Sequence, residues 1–190
     1  FNSEATYHRH VEFAPNTSGK FILSYRKANY SGAVIVGTLS GSTITLGSEN
    51  QYTAGTSVVA TCAFDPADNN TFVVQYTHWP AGGDARCRVG TISGTSVSYG
   101  PEVTISTSDC WYGQLSFISN GKFVTAYNKG PGGAFARVGT VSGTSITLGT
   151  EATCPLYTSD DADDLPCVAP RASYITYNTH TPSALDSIEI

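Results

Sequence analysis

Two histidines and a glutamate alternate near the beginning of the chain, in the segment His8-Arg9-His10-Val11-Glu12. If this segment is a β-strand, alternation places His8, His10 and Glu12 on one side of it. Two imidazoles and a carboxylate in that register can hold a divalent metal ion such as Zn²⁺ and leave positions open for water or substrate. The alternative is that both histidines are partly buried and only form hydrogen bonds. We predict a metal site here.

A second group of possible metal ligands is the acidic run Asp-Asp-Ala-Asp-Asp at residues 160–164. Its carboxylate density suits Ca²⁺ or Mg²⁺, although the spacing is not that of an EF-hand loop. Asp163 aligns with His8 in the internal repeat described below, so Asp163 joins the predicted metal ligands. The alternative is a solvated acidic loop. A disulfide between Cys154 and Cys167 would close this loop.

Basic residues elsewhere suit phosphodiester chemistry. His78 and His180 lie in predicted loops and are candidates for a general acid or base. Arg9 lies between the two predicted metal-binding histidines and would contact a phosphate there. The other cations predicted to contact phosphate are Arg26, Lys27 and Lys129.

Aromatic residues predict a different chemistry, the binding of a flat ring. The segment His78-Trp79-Pro80 is followed by Gly82-Gly83 and is typical of an exposed loop that presents an aromatic side chain. Together with Trp111 and Tyr112, Trp79 can stack on a sugar ring or a nucleobase. The alternative is that Trp111 and Tyr112 pack between neighbouring repeat units, which is the interpretation that we favour for Tyr112.

The elements that must position these residues follow from an internal repeat. Residues 138–149 read Val-Gly-Thr-Val-Ser-Gly-Thr-Ser-Ile-Thr-Leu-Gly, and close copies occupy residues 36–47 and 89–100. Each copy predicts a β-hairpin whose Ser-Gly turn uses the positive φ that glycine allows. The copies recur about every 50 residues, which is the period of propeller blades or repeat arrays.

Two more predicted strands precede each hairpin, so that one unit has four antiparallel strands, A to D. Strand B ends in a tyrosine that we predict to be buried, at Tyr25, Tyr76, Tyr127 and Tyr177. The fourth unit stops after its third strand, and residues 1–6 match the end of strand D in the other units. We therefore predict an all-β fold, a four-bladed β-propeller closed by pairing of the N- and C-terminal strands in one blade.

The predicted blades are residues 8–52, 58–104, 111–153, and 163–190 together with 1–7, in a single domain of residues 1–190. The alternatives are an open repeat array or a β-sandwich. In a propeller, one face carries the D-to-A and B-to-C connections. This face, called the upper face below, receives all four histidines and both tryptophans. We expect function there because loops on a rigid scaffold usually carry it.

Composition limits the possible partners and the compartment. With a net charge of −5, the chain has no general field that attracts nucleic acid or an anionic membrane, so any nucleic-acid contact must be local. No apolar run has membrane-spanning length. The chain starts at Phe1 without a signal-like segment, and sequons occur at Asn16, Asn29 and Asn69, which predicts a processed, secreted protein.

The five cysteines cannot all pair with one another. Cys62 and Cys87 fall on strands A and C of one predicted unit. Strand B would hold them about 9 to 10 Å apart, which is beyond disulfide reach. We therefore predict no bond between these two residues.

The Val-Gly-Thr-x-Ser-Gly-Thr-Ser repeat covers nearly the whole chain and resembles the short-blade β-propeller repeats of secreted proteins from marine invertebrates and microbes. Within that set it is most similar to the soritesidine-like sponge toxins. The resemblance implies a cytotoxic protein associated with DNA degradation. It implies no role for any particular residue.

From these observations we predict a secreted, toxin-like propeller whose upper face binds a divalent metal and hydrolyses phosphodiesters. The identity of the metal (Zn, Mg or Ca) is open. A different prediction is a carbohydrate-binding, lectin-like propeller that uses Trp79, Trp111 and the acidic loop, with or without Ca²⁺. A third is a scaffold protein without a small ligand, which buried upper-face aromatics would favour.

Overall fold

A computed structural model describes residues 6–17, 19–79, 82–107, 109–130 and 133–154. They belong to one compact unit, Phe1–Leu156. The predicted fourth blade, with Asp163, Cys167, Tyr177 and His180, lies outside the described residues except for Thr6 and Tyr7. These two residues pair with Lys27 and Arg26 in the first sheet, so the predicted blade boundary at residue 7 is wrong. Within these residues the chain consists of antiparallel strands without a helix, which confirms the all-β fold class. The described residues include no helix long and apolar enough to cross a membrane.

Three antiparallel sheets follow one another along the chain. In sheet 1 the spatial order is the chain order, and its strands are β1 (Thr6–Phe13), β2 (Lys20–Lys27), β3 (Gly32–Ser40) and β4 (Thr43–Thr53). The hairpin between β3 and β4 turns at Gly41, which has a φ of +57°. The predicted Ser-Gly turn is therefore confirmed here, and the same turn recurs in both other sheets, at Gly94 and Gly143.

Sheets 2 and 3 share a second arrangement, in which the predicted strand D is divided into two short strands. The strands of sheet 2 are β5 (Thr56–Phe64), β6 (Thr71–Trp79), β7 (Asp84–Ser93), β8 (Ser96–Tyr99) and β9 (Val103–Ser106). Those of sheet 3 are β10 (Cys110–Ser119), β11 (Lys122–Lys129), β12 (Ala134–Ser142), β13 (Ser145–Leu148) and β14 (Ala152–Cys154). In each sheet both short strands pair with the third strand, β7 or β12.

The core lies between neighbouring sheets. On β6, Phe72, Val74 and Tyr76 pack against sheet 1, whereas Val73 packs against sheet 3. Both faces of sheet 2 are therefore buried, which explains why β6 is a continuous apolar run rather than an alternating one. Burial of each large side chain stabilises the fold by about 1.5–3 kcal/mol. Cys62 and Cys87 are buried thiols on this sheet and are not bonded to each other, as predicted.

The recurring tyrosines of the three described units are buried, as predicted, and each hydroxyl donates a hydrogen bond to a glutamate that follows the hairpin. Each glutamate also accepts a hydrogen bond from a lysine or arginine. The three sets are Tyr25, Glu49 and Lys27; Tyr76, Glu102 and Arg86; and Tyr127, Glu151 and Lys129. Each set therefore links the second strand of its sheet, which carries the tyrosine, to the segment after the hairpin turn, which carries the glutamate.

Candidate functional site

A β-bulge interrupts the first strand of each described sheet at the same repeat position. Two residues of the first strand lie opposite the buried tyrosine of the second strand in every case. In β1 the two residues are His8 and Arg9, and in β10 they are Tyr112 and Gly113. The first residue of each pair has a positive φ, +50° for His8 and +54° for Tyr112. Bulges of this kind redirect side chains and are frequent beside active sites.

The bulge in β1 changes the predicted metal-binding set. Tyr7, His10 and Glu12 have cross-strand partners that alternate regularly along β2, and cross-strand partners share a face of the sheet. Tyr7 therefore takes the place predicted for His8 beside His10 and Glu12. The expectation that simple alternation puts His8, His10 and Glu12 on one side is wrong, because the extra residue at His8 shifts the register.

His10 and Glu12 remain neighbours, with 3.7 Å between His10 Nε2 and Glu12 Oε2. His10 Nε2 is enclosed and has no hydrogen-bond partner within the described ranges. Burial raises the pKa of Glu12, and the neighbouring His10 opposes part of that rise. His10 and Glu12 thus form a polar contact that is partly shielded from water, and His10 Nε2 still lacks a hydrogen bond in the described ranges.

The surroundings of His8 are electropositive. Partial burial lowers the pKa of His8, and the positive charge of Arg26 lowers it further. The same charge disfavours a divalent cation at His8. In the part of the chain that the structure describes, no three His, Cys, Asp or Glu side chains form a group that could hold a metal ion. Asp163 lies outside that part, so the complete predicted set stays a prediction.

The two tryptophans meet at the junction of sheets 2 and 3. Trp79 ends β6, Trp111 is near the beginning of β10, and their ring centroids are 5.3 Å apart at an angle of 45°. We call this pair the tryptophan platform. The Trp111 indole Nε1 donates a hydrogen bond of 2.8 Å to Asp109 Oδ1, and Trp79 is 42% exposed. The platform therefore combines an accessible aromatic surface with a carboxylate.

Tyr112 follows Trp111 and is 71% exposed. Our interpretation that Tyr112 packs between repeat units is wrong, because the bulge turns this residue out of the strand and leaves it exposed. Left-handed backbone costs a residue with a side chain on the order of 1–3 kcal/mol and persists where the surrounding structure enforces it. The non-glycine residues with positive φ in the described ranges are His8, Tyr30 and Tyr112. All three lie on the upper face.

Hydrogen bonds at Cys110 join sheets 2 and 3 beside the platform, and a hydrogen bond at Asp109 lies within sheet 3. Cys110 N donates to Gly83 O at 2.6 Å, and Gly130 N donates to Asp109 O at 3.0 Å. The Thr77 hydroxyl donates to Cys110 O at 3.0 Å. Cys110, which directly precedes Trp111, is therefore fixed to sheet 2 by two hydrogen bonds, and these restrain Trp111 beside Trp79.

His78 lies next to the platform and is half-buried. Its Nδ1 is enclosed and lacks a hydrogen-bond partner within the described part. Gly55 makes room for the ring, because a Cβ at Gly55 would stand 2.3 Å from His78 Cε1. The predicted role of His78 as an acid or base stays a prediction, as does that of His180, which lies outside the described residues.

Most of the predicted phosphate-binding cations already have partners. Lys27 and Lys129 form ion pairs of 2.6 and 2.5 Å with glutamates of the tyrosine sets. Arg9 turns back on Thr6, whose carbonyl accepts from Arg9 Nη2 at 2.9 Å. Arg86 on β7 is bound by Asp84 at 3.1 Å and by Glu102. Asp109 has no such cation within the described ranges, so the platform has a negative neighbour that is not neutralised.

Sequence reasoning missed three residues of this face, Asp109, Tyr7 and Tyr30. Asp109 directly precedes the Cys110-Trp111-Tyr112 segment, and a carboxylate before an aromatic pair is a signal that we did not use. Tyr30 is the central residue of the sequon at Asn29, where only the asparagine was considered. Comparison of the chain with protein-family models and with curated proteins gives no match.

Proposed function

We propose that the protein binds a carbohydrate on its upper face through the tryptophan platform. The single observation that carries this proposal is the contact between Trp79 and Trp111, whose rings are 5.3 Å apart and partly open to solvent. The apolar face of a sugar ring stacks on such a surface, and a nearby carboxylate accepts hydrogen bonds from sugar hydroxyls. The scaffold alternative is weakened because Trp79 and Tyr112 are exposed.

The charge beside the platform favours a sugar without a phosphate over a nucleic acid. Asp109 would repel a phosphodiester, and Arg86, which lies in the same sheet as Trp79, is held by two carboxylates. A hydroxylated, uncharged ring meets no such repulsion. The proposed ligand of the platform is therefore a neutral sugar unit.

The proposal extends to the ring architecture, a closed four-bladed propeller in which residues 163–190 with 1–5 form the last blade. Support comes from the side of sheet 1 that faces away from sheet 2. An apolar groove of about 330 Å³ lies there, lined by Val11, Phe13, Phe21, Leu23, Leu39, Ile44 and Leu46. Four of these side chains are exposed within the described part, and a fourth blade of this chain would cover them.

We also propose a second candidate function, metal-dependent phosphodiester hydrolysis by a secreted, toxin-like protein. The observation that favours it is His10 Nε2, which is enclosed without a hydrogen-bond partner and lies 3.7 Å from Glu12 Oε2. In this proposal His10 and Glu12 hold the metal with Asp163, and His78 or His180 transfers the proton. His8 would contribute only if the charge of Arg26 were neutralised.

Tryptophan fluorescence tests the carbohydrate proposal with unusual specificity, since the chain has only two tryptophans and both belong to the platform. A panel of neutral oligosaccharides is titrated into the protein. We expect a saturable change in emission for at least one of them. Trp79→Ala should lower the affinity for that oligosaccharide by about tenfold or more, because a stacked ring contributes about 1–3 kcal/mol to binding. An exposed apolar residue elsewhere, Ile118, serves as the control, and Ile118→Ala should bind normally.

Plasmid nicking tests the second candidate. The protein is incubated with supercoiled DNA, with and without EDTA, beside the His10→Ala variant. Nicking that EDTA and His10→Ala both abolish supports hydrolysis at this pair. Nicking by the variant at the wild-type rate removes His10 from the reaction, and no nicking by any sample rejects the candidate function.

A further inference from the structure

Arg26, near the end of β2, differs from the other basic residues of the upper face. Its guanidinium carbon lies 4.4 Å from the ring centroid of Tyr7 and 4.7 Å from that of Tyr30. Both tyrosine rings are about half exposed. The three side chains therefore form a cation–aromatic cluster at the surface of sheet 1, which we call the Arg26 cluster.

The charge of Arg26 has no counter-ion within the described residues. Lys27, Arg86, Lys129 and Arg137 each contact a glutamate there, whereas Arg26 takes part in none of these ion pairs. Arg26 Nε is enclosed and has no hydrogen-bond partner in the described ranges. A guanidinium in contact with aromatic rings can still donate through the N–H groups of its two Nη atoms, and this end of the group matches two oxygens of a phosphate or sulfate.

The backbone around the cluster is fixed in an unfavourable conformation. Tyr30 has a φ of +69°, and His8, which senses the charge of Arg26, has a φ of +50°. Tyr30 is held by a bond of 3.0 Å from its N to Lys27 O and one of 2.7 Å from Ser57 N to its carbonyl. An L-residue in this conformation is strained, and such residues concentrate at ligand sites. Here the two hydrogen bonds fix the backbone of the residue whose ring contacts Arg26.

We propose that the Arg26 cluster is an oxyanion-binding site, separate from the tryptophan platform, that takes a phosphate or sulfate group. Arg26 supplies two N–H donors to the anion, and Tyr7 and Tyr30 orient the guanidinium. The exposed Arg9, which is two residues from Tyr7, adds positive charge at the same end of β1. The source of the anion is either a sulfated sugar or a nucleotide, because both present the same tetrahedral group.

The site is tested by NMR with the ¹⁵N-labelled full chain. The Arg26 Nε–Hε signal is assigned from its loss in Arg26→Lys, and sodium sulfate and sodium phosphate are titrated at constant ionic strength against sodium chloride. We expect saturable shifts with a Kd of about 1–10 mM for both anions, which is ordinary for a single small ion. Arg26→Lys, followed through the backbone amide of Tyr30, should bind at least about tenfold more weakly because lysine lacks the bidentate edge.

Lys122→Gln is the matched control, since it also removes one positive charge. Lys122 is exposed and begins β11, whereas Arg26 lies near the end of β2 in a different sheet. The control substitution should leave the affinity unchanged within about twofold, as screening by salt limits distant surface charges. Equal, non-saturating shifts with all three salts would overturn the proposal, and so would wild-type affinity in Arg26→Lys. Wild-type tryptophan emission from each variant shows that the fold is intact.

Competition then identifies the source of the anion. A sulfated disaccharide and a dinucleotide of equal charge are each added to the sulfate-bound protein. Displacement of sulfate by either compound supports the site and names its ligand class, and displacement by neither contradicts it. Because platform binding is read from tryptophan emission and this site from the Arg26 signal, failure of one proposal is distinguishable from failure of the other.

Discussion

Removal of the Tyr76 hydroxyl should destabilise the protein by an amount that can be worked from its contacts. The buried hydroxyl donates to Glu102, and the same carboxylate accepts a hydrogen bond from Arg86. A hydrogen bond to a charged group contributes about 1.5–3 kcal/mol, more than a neutral one. Tyr76→Phe keeps the ring in the core and removes only this bond. We expect a loss of about 1.5–3 kcal/mol, a fall in Tm of roughly 3–12 °C.

Tyr99→Phe provides the control for this loss. The Tyr99 hydroxyl donates to a neutral acceptor, Asn50 O, at 3.3 Å. Its removal should cost about 0.5–1.5 kcal/mol, the value of an ordinary hydrogen bond. Both variants are unfolded in guanidinium chloride. If the dependence of the free energy of unfolding on denaturant concentration (the m value) is the same for both, a shift in midpoint reports a change in stability alone.

A double-mutant cycle isolates the charged bond. In the Glu102→Ala background, Tyr76→Phe should have little further effect, because its acceptor is already gone. The coupling free energy should therefore approach the full loss of the single variant. A coupling near zero, or equal losses for Tyr76→Phe and Tyr99→Phe, would refute the reasoning that these carboxylates stabilise each sheet.

Three further predictions follow from the same contacts. Burial raises the pKa of the tyrosine-bound glutamates, but hydrogen bonds from their cations and tyrosines outweigh this effect, so each pKa lies below the ordinary 4.5. The stability that these carboxylates contribute should therefore be fully present above pH 4.5 and should fall as the pH drops through the lowered pKa. Thermal unfolding at a series of pH values measures this loss. Gly113→Ala should lower the free energy of unfolding by about 1–3 kcal/mol, because the added Cβ would stand 2.1 Å from the buried Gln75 Nε2. Gly149→Ala is the control, since its Cβ would make an ordinary contact at 3.5 Å, and it should leave the thermal unfolding curve nearly unchanged. If the ring is closed, Glu4 takes the glutamate position beside Tyr177 by repeat alignment. Glu4→Ala and Tyr177→Phe should then each destabilise the protein, and a double-mutant cycle should show that their effects are coupled. Additive effects on the free energy of unfolding would contradict closure.

The hairpins were predictable because they depend on local chemistry. Gly41, Gly94 and Gly143 supply the positive φ of the turns, and the flanking β-branched residues favour extended strands. The tyrosine sets could also have been found, since a glutamate follows each buried tyrosine at a nearly constant separation of 24 to 26 residues.

The candidate site was less predictable, for two physical reasons. The bulges place non-glycine residues, His8 and Tyr112, in left-handed backbone, and no residue type announces such a position. Alternation therefore grouped His8 with His10, and the exposure of Tyr112 was not expected. The contact of Trp79 with Trp111 depends on the packing of two sheets, which local patterns do not specify. Their aromatic character was nevertheless sufficient to nominate both residues as ligand-binding.

The most direct test of carbohydrate binding by the platform is a glycan array probed in parallel with the wild-type protein and with Trp79→Ala. The wild type should bind a defined set of glycans that share a neutral sugar, and the variant should lose that set while its melting curve stays close to that of the wild type. An array without hits, or the same hits at the same strength from both proteins, would contradict the account.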